Sequence, residues 1–212
     1  MEDKQRIILA PDDPGPADLG EMLEARVLKV FDGDGFLADV WHPAHGKWIS
    51  RIPFRFAFID APEMDQPLGV EAKGFLGGLI AGKALRLDLI GKQSTGYMPI
   101  DQYKRMLCMA YLTEEIPIGK TEYFRNGACN AGVVKVARPV TRNIELEMII
   151  NGWAWVTEQY SFDREDEYFA AQDDASRARR GLWALDNPEP PWEFKQKQRR
   201  RKKVIKGQAS LF

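Results

Sequence analysis

Three clusters in this chain set acids beside arginines where strand-like runs give way to turns. The first is Asp32-Gly33-Asp34-Gly35, alternate carboxylates separated by glycines. Alone it reads first as an ordinary hairpin turn, because turns select Asp and Gly. The second is Arg55-Phe56-Ala57-Phe58-Ile59-Asp60-Ala61-Pro62-Glu63, an arginine inside an apolar strand with two acids bracketing a proline at its exit. A salt-bridged barrel end would use the same residues. That reading is the weaker one, since an arginine among Phe54, Phe56 and Phe58 costs desolvation unless it is paired. The third, Asp101-Gln102-Tyr103-Lys104-Arg105, is by itself a charged loop. Such groups can hold a hard cation on carboxylate oxygens and an anion on planar guanidinium forks. With only His42 and His45, and only Cys108 and Cys129, a histidine or thiolate metal site is not expected.

The elements that must position these clusters follow from pattern. Ala25–Phe31 and Phe36–Trp41 read as strands joined by the Asp32–Gly35 turn, and a further β run covers Ile49–Asp60. Ala72, Phe75, Leu76, Leu79 and Ile80 recur at helical spacing within 71–80, with a stop at Gly82. Ala84–Ile90 and Arg105–Leu112 are strands. Residues 113–142 follow neither period; they carry Lys120, Arg125, Lys135, Arg138 and Arg142 and read as a long excursion. A short helix spans Ile144–Ile150, closed by Asn151-Gly152. A longer one spans Glu165–Arg180, with Tyr168, Ala171, Ala175 and Ala178 on one face and Gly181 as C-cap. Residues 186–194, with three prolines, read as an extended strap. The expected fold is α+β, mainly β: a five-stranded OB-type barrel with about three packed helices. Strict alternation puts Arg55 and Asp60 on opposite faces of one strand. They converge only if that strand bends or ends before Asp60.

Taken together, Asp32-Gly33-Asp34, Arg55…Ile59-Asp60-Ala61-Pro62-Glu63 and Asp101…Tyr103…Arg105 resemble the staphylococcal nuclease (thermonuclease-like) family in order and spacing. The resemblance continues through Leu146…Gly152-Trp153-Ala154-Trp155 and Ala170-Ala171-Gln172…Ala175…Arg180-Gly181-Leu182-Trp183. It covers roughly Ala25 to Phe194, with one insertion at 113–142. It implies a calcium-dependent nuclease acting on DNA or RNA. Asp34 and Asp60 would ligate the calcium ion with the Ala61 carbonyl, Arg55 and Arg105 would clamp the scissile phosphate, and Glu63 would act as general base. Tyr103 would contact a neighbouring phosphate, Lys104 would add a phosphate contact or crowd the arginine, and Tyr160 would stack near the base. Phosphodiester cleavage builds charge on phosphoryl oxygens, which a divalent ion and bidentate arginines stabilise. Two departures stand out: Gly35 replaces the hydroxyl residue usual after the second acid, and Lys104 replaces the glycine of the usual Tyr-Gly-Arg.

The 212 residues fit one domain with tails, and at 44% hydrophobic content the chain is neither a disordered polyelectrolyte nor a carrier of a membrane-spanning run. Its net charge of −1 is a sum of unlike parts. Residues 1–24 form an acidic, Pro/Gly-rich leader, read as loosely held. Residues 1–194 total about −9, whereas Lys195–Lys206 carries eight bases and no acid. This tail reads as a solvated charged end, as a sequence-independent attraction to nucleic acid, or as the approach to a docking peptide. The peptide is Gln208-Ala209-Ser210-Leu211-Phe212, which resembles the motif bacterial replication and repair proteins use on the sliding DNA clamp. There Leu211 and Phe212 would fill an apolar pocket and Gln208 would anchor by hydrogen bonding. No apolar leader segment is visible, so a cytoplasmic monomer is expected; a chain whose leader had been removed would read the same. The alternatives are a catalytically silent OB-fold binding module and a scaffold for the terminal peptide. Arg55, Glu63 and Arg105 argue for the enzyme, since a silent module has no need of a base beside two phosphate-binding arginines.

Overall fold

The computed structural model describes residues 8–13, 22–90, 100–125, 128–158 and 161–209, with side chains placed outside 118–136 and 202–209. β1 (Leu23–Val30), β2 (Gly35–His42) and β3 (Lys47–Phe56) form an antiparallel meander. The chain then makes the short β4 (Ile59–Asp60), α1 (Gly69–Ile80), β5 (Ala84–Leu89) and a long hairpin of β6 (Met106–Arg125) with β7 (Ala128–Asn143). α2 (Ile144–Ile150), β8 (Trp155–Val156), α3 (Glu165–Arg177) and α4 (Pro191–Ala209) follow.

Pairing returns on itself. β1 pairs with β2 and β5, β5 with β6, and β3 runs parallel to β6 through Phe56↔Cys108, so β1, β2, β3, β6 and β5 make a ring. This is the expected OB-like, mainly β architecture. Phe36, Phe54 and Phe56 fill its interior, Phe36 stacking on Phe54 at 5.4 Å between ring centroids. Ala72, Leu76, Leu79 and Ile80 of α1 are buried as the helical spacing predicts. Ile144, Leu146, Met148 and Ile149 bury the short α2, whose Asn143 caps it by accepting from the Leu146 amide at 3.1 Å.

Four sequence expectations change. The β run Ile49–Asp60 breaks at Ala57-Phe58, and Ile59–Asp60 pairs instead with β8. Much of the aperiodic segment 113–142 belongs to the β6–β7 hairpin, anchored where buried Arg142 meets Glu147 and Glu114. α3 ends at Arg177 rather than Arg180; Arg179 takes the left-handed conformation (φ 53°), and Gly181 is instead pressed against Gly152, where a Cβ would lie 2.3 Å from the Gly152 carbonyl oxygen. The strap gives way to helix at Pro191, and the basic tail continues as α4. The leader also has fixed points: the Thr141 amide donates to Asp12 at 3.1 Å, Arg138 pairs with Asp12 at 2.6 Å, and Asn151 exchanges two hydrogen bonds with the Ile8 backbone.

Candidate active site

The β1–β2 turn, the exit of β3, the loop before α1, the turn before β6 and the start of α4 border one cleft of about 1300 Å³. Asp34, Arg55, Asp60, Glu63, Tyr103 and Arg105 all line it. Arg55 joins the two aspartates: its Nη2 donates to Asp34 Oδ2 at 3.2 Å and to Asp60 Oδ1 at 2.7 Å. The Ala61 amide donates to the same Asp34 oxygen at 3.3 Å. Among the described residues, buried Arg55 Nε has no hydrogen-bond partner.

Arg55 and Asp60 meet because β3 stops. The Ala57 amide donates to Glu145 Oε1 at 2.7 Å and the Phe58 amide to the same oxygen at 3.4 Å. Tyr168 of α3 donates to Glu145 Oε2 at 3.1 Å. A fully buried carboxylate of α2 thus accepts from both amides where β3 ends, the Ala57 amide being shared with the Cys108 carbonyl of β6 at 3.1 Å, and the change of direction brings Asp60 back to Arg55. Burial drives the Glu145 carboxyl up to about 8 despite these donors.

The Asp32–Gly35 turn is as tight as its glycines require. A Cβ on Gly33 would stand 2.5 Å from the Ala61 Cβ, and one on Gly35 would stand 2.8 Å from Asp32 Oδ1. A side chain at Gly35 would therefore require the Asp32 carboxylate to shift. The Asp34 amide donates to Asp32 Oδ1 at 3.2 Å. Burial, then the adjacent Asp34, pushes Asp32 up to about 7, and the same two causes push Asp60 to about 6. Burial also opposes ionisation of Asp34, but Arg55, Lys195 and Arg105 outweigh it and hold Asp34 below the usual carboxylate range.

Asp101 organises the turn before β6. It accepts from the Tyr103 amide at 2.8 Å and the Arg105 amide at 2.9 Å, and pairs with Arg105 Nε at 2.8 Å. Lys104 occupies the left-handed region (φ 64°), which explains why glycine suits that position. Tyr103 is 63% exposed, with the Arg105 guanidinium 5.4 Å from its ring centroid.

Two functional neighbours escape the sequence reading. Lys195, counted there only as tail charge, places Nζ 3.0 and 3.3 Å from the Asp60 oxygens and 2.8 Å from Glu63. The available signal was Pro191 followed by a run of Lys, Gln and Arg, a helix start and strong helix formers. The other is buried Gln66, whose Oε1 accepts from the Glu63 amide at 3.2 Å while its Nε2 donates to the Glu189 carbonyl at 2.5 Å. Gly69 closes this loop, where a Cβ would lie 1.9 Å from the Glu63 carbonyl oxygen. Tyr160, Leu211 and Phe212 lie outside the described residues, as does the side chain of Gln208.

Among the described residues no three His, Cys, Asp or Glu side chains are grouped to hold a metal by themselves. A cation here would need the two aspartates supplemented by backbone and water oxygens. The donor set fits that role: Asp34 and Asp60 are buried carboxylates brought together at one nitrogen, oxygen donors of the kind a hard cation takes.

Residues 53–185 match the model of the staphylococcal nuclease homologue family, well over half of the chain. The chain belongs to that family. It is accordingly a nuclease, a hydrolase of phosphodiester bonds. An uncharacterized endonuclease of Haemophilus influenzae is 30% identical over 174 residues, covering 82% of this nuclease and 74% of the relative. A micrococcal nuclease of Shigella flexneri is 26% identical, covering 80% and 79% of the two chains. A probable staphylococcal-like nuclease of Oryza sativa is 31% identical over 71% of this chain, which spans about a quarter (23%) of that longer protein.

Proposed function

We propose that this nuclease is calcium-dependent, cleaves DNA or RNA, and uses the Asp34–Arg55–Asp60 constellation as its catalytic centre. The convergence of both aspartates on one Arg55 nitrogen, beside Glu63 and within one cleft with Arg105, carries the reading. Asp34 and Asp60, with the Ala61 carbonyl, would hold calcium, which when bound neutralises charge on a phosphoryl oxygen. Arg55 and Arg105 bind the remaining phosphoryl oxygens, and their guanidinium planes favour the charge that builds in the transition state. Asp101 fixes Arg105 through Nε and leaves the outer nitrogens to the substrate. Glu63 takes a proton from the attacking water; to do so, its oxygen exchanges the Lys195 ammonium for that water. Tyr103, in the cleft wall, and its exposed neighbour Lys104 contact adjoining phosphates, and Tyr160 supplies base contact.

A cleavage assay on single- and double-stranded DNA and RNA, with calcium and then with chelator, tests this directly. Glu63→Gln and Arg105→Ala should each lower kcat roughly 10²–10⁴-fold while circular dichroism stays as in the parent. A parent enzyme equally active in chelator would overturn calcium dependence, and full activity in Glu63→Gln would remove Glu63 as base.

A further inference from the structure

We propose that α4 carries a binding subsite for unpaired nucleotides flanking the scissile phosphate, built on Trp192 and Arg199. The proposal rests on the catalytic reading above and extends it along the substrate. Three observations carry it. First, Trp192, Lys195, Gln198 and Arg199 of α4 line the same cleft as Arg55, Glu63 and Arg105, so this wall is continuous with the centre. Second, Trp192 is 40% exposed in the wall supplied by α4, and Tyr103 is 63% exposed in another wall supplied by the turn before β6. Large aromatic rings left part-open in a charged cleft present surface to its contents, and nucleobases stack on such faces whatever their sequence. Third, the cleft holds about 1300 Å³, above the roughly 300–1,000 Å³ that suffices for one small ligand.

The wall is also held in place. Lys195 pairs with Asp60 and Glu63, Gln198 donates to Asp65 at 2.5 Å, and Gln66 grips the Glu189 carbonyl just before the helix. Position 192 opens the first turn, and positions 195 and 199 continue its face at helical spacing. Charge selects the occupant. Arg199 is exposed at the cleft edge, and Arg200, Arg201, Lys202 and Lys203 follow it in sequence, a field that favours a polyanion over a neutral or basic peptide. Stacking on Trp192 requires a base free of its complement, so the occupant is a single strand or a frayed duplex end rather than intact duplex.

The test compares kcat/KM on a single-stranded oligonucleotide of about twelve nucleotides with that on a dinucleotide ester, for the full chain in calcium. The parent should prefer the longer substrate, and Trp192→Ala and Arg199→Ala should each reduce that preference by about tenfold. Trp192→Phe, which keeps a stacking face, should restore most of it. Binding of the labelled oligonucleotide in chelator gives a readout independent of turnover: Arg199→Ala should lower the slope of log K against log salt by about 0.7. Unchanged preference in both alanine variants, at unchanged Tm, would overturn the subsite. So would a parent that cleaves both substrates equally well. A parent that cleaves neither would instead defeat the catalytic reading on which the subsite rests.

Discussion

Arg55 is the residue on which the centre turns. It is about one-fifth exposed, and one of its nitrogens serves two buried carboxylates. Replacing it by methionine leaves Asp34 and Asp60 side by side with Lys195 still paired to Asp60 but Asp34 without its direct ion pair, so Arg55→Met should lose on the order of 3 kcal/mol in chelator, measured by urea unfolding. Calcium should then raise the Tm of the variant more than that of the parent, because the ion supplies charge that the arginine no longer does. Equal calcium shifts in both proteins would show that the ion does not sit on these aspartates. Lys104 offers the opposite case. Its left-handed backbone disfavours any side chain, so Lys104→Gly should stabilise by roughly 0.5–1 kcal/mol after allowing for glycine's greater freedom when unfolded. A destabilised Lys104→Gly would mean that the lysine side chain contributes more than its backbone strain costs.

Among the elements, α2 has more to do than its seven residues suggest. Its Glu145 pins the break after β3 that lets Arg55 and Asp60 converge. That carboxyl titrates near 8 in the native protein against an ordinary 4.5, because burial penalises its charge. The folded chain therefore keeps a proton that the unfolded chain has released across this window. Glu145's contribution is fully present below about 4.5 and is lost as pH rises through about 8. In chelator, Glu145→Gln should flatten the decline of unfolding free energy between these limits; an unaltered slope would assign the titration elsewhere. Helices α1 and α2 were legible in the sequence because their apolar spacing is local. The break in β3 was not, since its cause is an acceptor 88 residues away. The β6–β7 hairpin beyond Leu112 was hidden for a different reason: Thr113–Pro117 of β6 is only exposed or half-buried, so no apolar core-facing stripe marks it as strand.

For the whole molecule, the separation of charge acquires a geometry. A body near −9 repels a polyanion at long range, and the eight bases after Phe194 begin at the cleft itself rather than on a distant leash. Hydrolysis of single strands should accordingly fall steeply with salt, visible as kcat/KM against ionic strength; a flat profile would deny α4 any part in substrate capture. The terminal Gln208–Phe212 peptide follows this basic run in sequence. We propose that it docks on a bacterial sliding clamp, and its deletion should abolish clamp binding in a pull-down with the purified ring. Undiminished capture by the truncated chain would sink that assignment.

By itself the sequence determined the chemistry and the family: which acids and arginines recur, in what order, and on which local elements. Those are matters of residue type and short-range period, which a linear chain displays. Only the tertiary structure decided that Asp34, Arg55 and Asp60 share one nitrogen, that Glu145 makes this sharing possible, and that Lys195 reaches Asp60 from 135 positions along the chain. Each of these depends on closing the strand ring and packing helices over its end. The contacts pair buried charges whose partners are remote in sequence, and no local pattern encodes which partner a desolvated group will find.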